Sequence, residues 1–417
     1  MIPTPRAPLL SLDEAMGRLL ASASPQLPAE QVALGNADGR VLAQDVVSAL
    51  HVPPQDNSAM DGYALRCSDV VQLGTGLQVS QRIAAGANGQ ALQLGTVARI
   101  FTGAPVPPGA DAVVMQEECT VLPPNDATPE IPSVQVNTQP TPGQNIRRAG
   151  EDVARGDVVL SRGQRLGPAE LGLAASIGMA ELTVAQRPRV ALFSTGDELV
   201  MPGTVAPQDM PPGAIYNSNR YFLSALLRRM GCVVTDVGIV PDQREATVQA
   251  LRDAAQSHDV ILTSGGVSVG EEDHIKPAVQ TLGTLDLWQI AIKPGKPCAY
   301  GRIGDAHFLG LPGNQVSSFV TFLVLVRPFL LQLQGMQNVA MKTVAAQADF
   351  TWAKADKRRE FLRVRRNASG GLDLFTNQGS GVLTSAVWGD GLIDNPPGCS
   401  IAPGDTVQFV SFAELLA

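Results

Sequence analysis

The sequence predicts an α/β multidomain protein with a central, doubly wound, mostly parallel sheet. Between about residues 186 and 334, short apolar runs alternate with segments of helical periodicity, which is the pattern of repeated βα units. A polar motif follows directly after each apolar run. On both sides of this region, short β-like runs separated by Gly and Pro predict smaller β domains. A chain of 417 residues is long enough for about two to four domains.

We therefore divide the chain into four expected domains. They are an elongated, discontinuous N-terminal domain (1–50 plus 145–185), a small inserted β domain (51–144), an α/β domain (186–334) and a C-terminal β domain with a barrel as its expected form (335–417).

The N-terminal part begins with a predicted helix and continues into loops and short strands. Ser11 and Glu14 fit a capping box at the start of an amphipathic helix. The polar stretch from His51 to Gly62 predicts a long loop, which is either a surface connection or a binding loop. Predicted strands follow at Val97–Phe101, Ala112–Met115 and Ser133–Val136, and Pro168 predicts the first position of a second helix.

The expected strands of the α/β domain each end in a polar motif. The runs are Val190–Phe193, Val233–Val240, Val260–Leu262, Leu285–Ile292 and Phe308–Leu311, with helices expected between them and after the last. The apolar run Phe319–Leu333 is interrupted by Arg327-Pro328, so we expect a core helix too short to span a bilayer. Since open α/β sheets bind ligands beyond the carboxyl ends of their strands, we expect the motifs to meet in one crevice.

Composition limits the classes of partner. A net charge of −8 argues against a general binder of nucleic acid or of anionic membranes, so an anionic substrate requires a local cluster of Lys and Arg. The five scattered cysteines contain no C-x-x-C and predict reduced thiols in the cytoplasm. With four histidines, any metal ion is expected to be a hard one held by oxygen.

The stretch after Leu262 is a candidate anion site. Ser264-Gly265-Gly266 and Gly270 can aim backbone N–H groups at one place before a helix start. The acidic run from Glu271 to Asp273 would repel a phosphate unless a cation lay between them, which favours a Mg²⁺-assisted phosphate site. The alternative is a tight turn followed by acidic residues that cap the helix.

The other strand ends supply two kinds of group. Asp197, Glu198, Asp242 and Asp273 are carboxylates able to hold Mg²⁺, whereas Lys293 and Lys296 can point at one small anion. No Ser-His-Asp or Cys-His set is apparent, so catalysis would depend on positioning and electrostatic stabilisation. The alternatives are solvated loop lysines, and carboxylates that serve as caps and surface charge.

Several motifs together resemble one family. DNSAMDGYA (56–64), RIFTGAPVPPGADAVV (99–114), GQNIRRAGED (143–152), FSTGDEL (193–199), NSN (217–219), TSGGVSVGEED (263–273), IKPGKP (292–297) and LPGNQVSS (311–318) are similar, in this order, to the MoeA family of molybdopterin molybdenumtransferases, which includes the E domain of gephyrin.

The resemblance implies a Mg²⁺-dependent enzyme of molybdenum cofactor biosynthesis. It would insert molybdate into adenylylated molybdopterin and release AMP. It also implies a homodimer whose cleft lies between the α/β domain of one subunit and the small second domain of the other, and other proteins of the same biosynthesis are possible partners.

The resemblance also implies roles for individual residues. The catalytic set would be Asp61, Thr102, Asp152, Glu198, Asp242, Asp273, Lys293 and Lys296, with Asp242 and Asp273 as Mg²⁺ ligands. Substrate would contact Thr195, Gly196, Asp197, Asn217, Ser218, Asn219, Ser264, Gly265, Gly266, Ser268, Gly270, Pro312, Gly313, Asn314, Ser317, Arg358, Arg359 and Ser380. Which of the two adjacent arginines points inward is left open.

Two departures and two alternative functions accompany the resemblance. Gln315 stands where the family has a proline, which predicts a looser loop, and Gln243 weakens a carboxylate pair with Asp242.

One alternative is an enzyme that adenylylates molybdopterin with ATP, although such proteins are usually the α/β domain alone. The other is a non-catalytic scaffold, for which an exposed apolar groove or extra linkers would be expected.

Overall fold

The structure, a computed structural model, describes residues 9–23, 27–123, 132–241, 243–267 and 274–416. In this part of the chain the central sheet has six strands, which we number along the chain. They are β1 (Arg189–Thr195), β2 (Val233–Val240), β3 (Val260–Ser264), β4 (Thr284–Gln289), β5 (Pro297–Ile303) and β6 (Ala306–Leu311). Their order in the sheet is β2-β1-β3-β6-β5-β4.

The sheet is mostly parallel, as predicted, but it ends in an antiparallel pair. Strands β2, β1, β3 and β6 pair in parallel, while β5 runs antiparallel to both of its neighbours. The sequence interpretation missed β5. No helix fits between β5 and β6, because Gly304 and Asp305 form a tight turn that makes the two strands a hairpin. Since β4 and β6 run in the same direction, their carboxyl ends still lie at the same edge of the sheet.

Helices cover both faces of the sheet. They are α1 (Asn219–Arg229), α2 (Arg244–Ser257), α3 (Ile275–Leu282) and α4, which consists of Gln315–Thr321, a π-helical segment Phe322–Val326 and Arg327–Leu333. Alternate residues of the strands enter different cores. Val190 and Leu192 pack with side chains of α1 and α4, whereas Ala191 and Phe193 pack with those of α2 and α3.

Helix α4 corrects one expectation. The chain does not break at Arg327-Pro328. The π-helical turn comes directly before Arg327, and such turns, like prolines, are where the ladder of helix hydrogen bonds is locally rearranged. The continuous helix Gln315–Leu333 has 19 residues, so by length and composition it could cross a membrane. Because 89% of its most apolar window is buried inside the protein, we interpret it as the core helix that was predicted.

The opening helix, Leu12–Ala21, belongs to the same core. Glu14 N donates to Ser11 Oγ at 3.2 Å and Ser11 N donates to Glu14 Oε2 at 2.9 Å, which confirms the capping box. Leu12, Ala15 and Leu19 are buried with residues of α1 and α4. The helix is therefore anchored on the α/β domain through its apolar face.

The inserted region forms a separate small sheet. In the described residues its strand order is Ala112–Met115, Gly62–Leu65, Thr96–Ile100, Thr75–Ile83, Ser133–Val136 and Cys119–Leu122. Three two-stranded ribbons lie between it and the central domain, namely Ala29–Ala33 with Glu181–Ala185, Val46–Val47 with Val158–Leu160, and Asn57–Ser58 with Ile146–Arg147. The second predicted helix, Pro168–Ser176, begins at the predicted proline.

The C-terminal region is built around the strand Arg359–Arg366. The other strands are Val344–Gln347, Leu372–Leu374, Gly391–Asn395 and Thr406–Ser411, and the helices are Thr384–Trp388 and Phe412–Leu416. Ile292–Lys293 adds to this sheet by pairing in parallel with the first residues of Arg359–Arg366. An isolated bridge joins Ala348, directly after the strand Val344–Gln347, to Leu372. Closure into a barrel stays a prediction, as do the limits of the four domains.

Candidate functional site

A crevice of about 510 Å³ lies at the edge where β1, β3 and β6 end. Its walls come from loops that directly follow these strands and from the first residues of α1, α3 and α4. The residues that line it are Thr195, Gly196, Glu198, Leu199, Ile215, Tyr216, Asn217, Ser218, Asn219, Ser264, Gly265, Gly266, Val267, His274, Ile275, Pro297, Pro312, Gly313, Asn314, Gln315 and Ser317. The motifs that follow β1, β3 and β6 therefore meet at one sheet edge, whereas Lys293 and Lys296 of the loop after β4 do not line the crevice.

Other candidate residues in the described part of the chain do not line this crevice. Asp197 follows β1 but is exposed, and the remaining ones lie on the lysine loop, in the C-terminal region or in the N-terminal half. These others are Lys293, Lys296, Arg358, Arg359, Ser380, Asp61, Thr102 and Asp152.

Asn219 holds three walls of the crevice together. It is the first residue of α1, and its Nδ2 donates to Ser264 Oγ at 2.8 Å and to the Gly313 carbonyl at 2.7 Å. Gly265 N donates to the Leu311 carbonyl at 3.0 Å and links the same loops through the backbone. One amide side chain thus fixes the loops after β3 and β6 relative to α1.

The turn after β3 requires glycine. Gly265 and Gly266 have φ angles of +95° and +68°, which other residues rarely adopt. A Cβ on Gly265 would lie 2.8 Å from the Thr195 carbonyl, and one on Gly266 would lie 2.5 Å from Ile275 Cγ1. The loop can therefore press its backbone against the end of β1 and the start of α3.

Three polar atoms of crevice residues have no hydrogen-bond partner within the described residues. They are Thr195 Oγ1, Asn217 Nδ2 and Asn219 Oδ1, and all three are buried. Buried polar atoms without partners are uncommon in native proteins. This set offers both donors and acceptors for the polar groups of a ligand.

The lysine loop packs against the start of α4. A Cβ on Gly295, between Lys293 and Lys296, would lie 2.4 Å from Thr321 Oγ1, so glycine permits a close contact with the helix. Pro297 continues from this loop into the crevice wall. Within the described residues, Lys296 Nζ makes no hydrogen bond or ion pair.

Lys293 is bound to the C-terminal region. Its Nζ lies 3.0 Å from Glu360 Oε1 and 3.3 Å from Asp356 Oδ2. Glu360 is 1% exposed, and its other oxygen accepts from Trp352 Nε1 at 2.8 Å. Burial alone would lower the pKa of Lys293, but the hydrogen bonds and charges of the two carboxylates raise it above its ordinary value.

The two adjacent arginines point to different partners. Arg358 forms a two-pronged pair with Asp356, with both Nε–Oδ1 and Nη2–Oδ2 at 2.9 Å. Arg359 pairs instead with Asp394, with both distances 2.6 Å, and with Asp13 of the opening helix at 3.1 Å. Arg358 is thus the arginine that shares a carboxylate with Lys293. The hydrogen bond from Arg358, together with its charge, lowers the pKa of Asp356 well below its usual range.

Ser380 meets the first turn of α4. Its carbonyl accepts from Val316 N at 2.9 Å and from Ser317 N at 3.3 Å. These two N–H groups belong to the helix start that forms part of the crevice wall. The C-terminal region therefore caps the crevice helix through its backbone.

In the inserted sheet, Asp61 and Thr102 form a compact pair. Asp61 Oδ1 accepts from Thr102 N at 2.8 Å and from Thr102 Oγ1 at 2.7 Å, and these bonds lower the pKa of the exposed carboxyl. Asp152 lies on a neighbouring loop, where its N–H donates to the Val52 carbonyl. All three residues are exposed, and none of them lines the crevice of the same chain.

Four candidate residues lie outside the described residues. They are Asp242, Ser268, Gly270 and Asp273, which include both expected Mg²⁺ ligands. Among the residues that the structure does describe, no three His, Cys, Asp or Glu side chains form a group able to hold a metal ion.

Sequence reasoning missed several residues of the site. Tyr216, Pro297 and Gln315 line the crevice, and Asp356 and Glu360 hold Lys293. Neither carboxylate has a local signal in the sequence, because its contact with Lys293 joins distant parts of the chain.

Models of three known protein domains match nearly the whole chain. Residues 10–178 match the model of the MoeA N-terminal region (domain I and II), residues 191–332 a probable molybdopterin binding domain, and residues 345–412 the MoeA C-terminal region (domain IV). A molybdopterin molybdenumtransferase of Haemophilus influenzae is 42% identical over 330 residues, 79% of each chain. The molybdopterin molybdenumtransferase 2 of Mycobacterium tuberculosis is 42% identical over 319 residues, 74% of this chain and 76% of its own.

Solved structures agree with this result. A molybdopterin biosynthesis moeA protein of Pyrococcus horikoshii has a TM-score of 0.83 at 27% identity, over 97% of this chain and 100% of its own. A second structure of such a protein from the same organism has a TM-score of 0.77 at 29% identity, over 97% and 99%. The domain matches, the identities and the shared fold show that this chain belongs to the MoeA family.

Proposed function

We propose that this protein is a molybdopterin molybdenumtransferase, which takes adenylylated molybdopterin and molybdate, inserts the metal at the dithiolene and releases AMP. The observation that carries the proposal is the crevice at the sheet edge. It combines unpartnered amide and hydroxyl atoms with a lysine loop beside it, and relatives with that name are 42% identical over most of the chain.

The chemistry of the side chains suits these substrates. Thr195, Asn217 and Asn219 offer hydrogen-bonding atoms for the polar groups of the pterin compound. Molybdate is a small tetrahedral dianion, so Lys and Arg donors suit it better than thiols or imidazoles. We assign it to Lys293, Lys296 and Arg358, with Ser317 and Ser380 at the adjoining start of α4.

We also propose Mg²⁺ as the metal ion of the reaction. The described crevice residues offer oxygen donors, namely Glu198, Thr195 Oγ1 and Asn219 Oδ1, which are of the kind that Mg²⁺ prefers. Asp242 and Asp273 would hold the ion together with Glu198. When bound, it would neutralise the charge of the phosphate groups, while the protein residues bind and orient the substrate.

The active unit that we propose is a homodimer in the cytoplasm. Asp61, Thr102 and Asp152 are exposed in the N-terminal half and would complete the crevice of the partner subunit. All five cysteines are free thiols, which fits a reducing compartment.

The test of this function is AMP release from adenylylated molybdopterin in the presence of Mg²⁺, with and without molybdate. We expect release to depend on molybdate. We expect Lys296→Ala to reduce it by about tenfold or more, because a charge that contacts the oxyanion is lost.

Lys342→Ala is the matched control, since the Lys342 side chain is 81% exposed, lies 3.9 Å from Glu414 of the last helix and does not line the crevice. It should leave the rate unchanged. Transfer of AMP from ATP without any effect of molybdate would support the adenylylating alternative instead. An unchanged rate in Lys296→Ala would contradict the site assignment.

A further inference from the structure

Asp356 contacts two cations, one on the lysine loop and one in the C-terminal region, which we call the basic pair (Lys293 and Arg358). Its Oδ2 accepts from Arg358 Nη2 at 2.9 Å and lies 3.3 Å from Lys293 Nζ. Its Oδ1 accepts from Arg358 Nε at 2.9 Å and from Arg358 N at 3.0 Å. One carboxylate therefore contacts both cations and occupies the Nε–Nη2 edge of the Arg358 guanidinium.

This geometry matches what an oxyanion would require of the same cations. Guanidinium groups bind carboxylates and tetrahedral oxyanions alike through two parallel hydrogen bonds, and an ammonium group can contact one of the two oxygens. The two positive charges of the basic pair are balanced by Asp356 and Glu360. A dianion that approached the pair would therefore meet a neutral cluster.

The two carboxylates differ in how firmly they are held. Glu360 is 1% exposed and also accepts from Trp352 Nε1, so it cannot leave without burying an unpaired charge. The Asp356 side chain is 21% exposed and belongs to a stretch without regular secondary structure. Asp356 is thus the carboxylate that can move away into solvent.

We propose that Asp356 is an internal competitor for the oxyanion substrate, which must leave the basic pair before a tetrahedral dianion such as molybdate binds there. The inference rests on the proposed function, since it takes the basic pair as part of the molybdate site. Asp356 thereby weakens oxyanion binding and eases release, through the two cations that it contacts.

The experiment measures molybdate affinity by titration calorimetry on the full-length protein at low ionic strength. Asp356→Asn keeps the shape of the side chain and removes its charge. We expect it to bind molybdate about five- to tenfold more tightly than the wild type, because the competitor for a partly exposed ion pair is gone. Asp356→Ser should give a gain in the same direction, and thermal unfolding should show that both variants remain folded.

Asp405→Asn is the matched control. It makes the same change of charge on an exposed Asp of the C-terminal region, whose carboxylate accepts from Ala402 N. It should leave the affinity unchanged. An equal gain in Asp405→Asn would show an effect of net charge and overturn the inference, and so would unchanged or weaker binding in folded Asp356→Asn.

AMP release by the wild-type protein separates the two proposals. If release depends on molybdate while Asp356→Asn binds molybdate no better, only the inference about Asp356 fails. If the wild type shows no molybdate-dependent release, the proposed function fails. In a structure with bound molybdate, the distance from Asp356 to Lys293 Nζ should exceed a hydrogen bond, and an unchanged ion pair would contradict the competition.

Discussion

Lys293 illustrates how one residue can serve both a site and the stability of the fold. Its ammonium is the counter-charge of Glu360, a carboxylate that is almost fully buried 67 positions further along the chain. A buried carboxylate that loses its partner is costly, because the charge can neither reach water nor find another cation. A loss of activity after truncation of Lys293 would therefore mix a local effect on substrate with a loss of stability.

A double substitution separates these effects. Lys293→Met should lower the free energy of unfolding by about 2 kcal/mol, and Lys293→Met with Glu360→Gln should recover most of that loss. Urea denaturation of the two variants and of Glu360→Gln alone checks this. Equal stability of Lys293→Met and the wild type would contradict the role of the pair.

The pH dependence of the same pair has a defined sign. The pKa of Lys293 is higher in the folded protein than its ordinary value of 10.5. Its stabilisation is therefore fully present below the pKa of the unfolded chain, and it is lost as the pH rises through the higher folded pKa. The difference in stability between the wild type and Lys293→Met should shrink as the pH rises through that alkaline range.

At the scale of elements, the start of α4 shows how the backbone accommodates Gln315 at a position where the family has a proline. Gln315 is the first residue of the helix, and its backbone N–H has no acceptor within the described residues. Asn314 before it has φ −63° and ψ 131°, the extended conformation that a residue before proline requires. The backbone has therefore kept a geometry that proline would fit.

Gln315→Pro should consequently stabilise the protein by about 0.5–1 kcal/mol, because it restricts the unfolded chain without removing a hydrogen bond. Gln332→Pro, in the last turn of the same helix, is the control, and it should destabilise by about 3 kcal/mol. Thermal unfolding measures both. A lower melting temperature in Gln315→Pro would show that the N–H or the side chain of Gln315 is needed.

The strand β5 shows a limit of pattern reading at this scale. The polar loop Lys293–Lys296 precedes β5, and the short turn at Gly304 follows it. Strands and helices alternate before this region, and that alternation suggested that the next connection would also be parallel. The hairpin is decided by the length of the connection, because a parallel crossover needs about a dozen residues or more and the turn between β5 and β6 has two.

At the scale of the whole molecule, our proposal of a homodimer assigns Asp61, Thr102 and Asp152, which lie outside the crevice of their own chain, to a site shared between subunits. In a twofold dimer, each crevice would receive these residues from the partner. Two variants with damage to opposite halves of the site should then complement each other.

We expect Asp61→Ala and Lys296→Ala each to lose most of the activity alone and to regain activity when they are co-expressed. In a random mixture half of the dimers are mixed and each has one intact site, so AMP release should reach about a quarter of the wild-type rate. Asp61→Ala co-expressed with Thr102→Ala is the control, because both lesions affect the same half and no intact site can form. No recovery in the first mixture would argue against sharing.

By itself, the sequence determined the α/β class, most strand and helix positions, and the strand-end motifs that line the crevice. It could do so because hydrophobic periodicity and glycine-rich turns are local, and because parallel strands bring their carboxyl ends to one edge. Only the tertiary structure decided that Arg358 and not Arg359 shares the Asp356 carboxylate with Lys293, and that Asp356 and Glu360 hold that lysine. The reason is that the contacts of Lys293 depend on the register between Ile292–Lys293 and the strand that begins at Arg359. Neither segment carries a local sequence pattern that specifies its pairing with a segment so far along the chain.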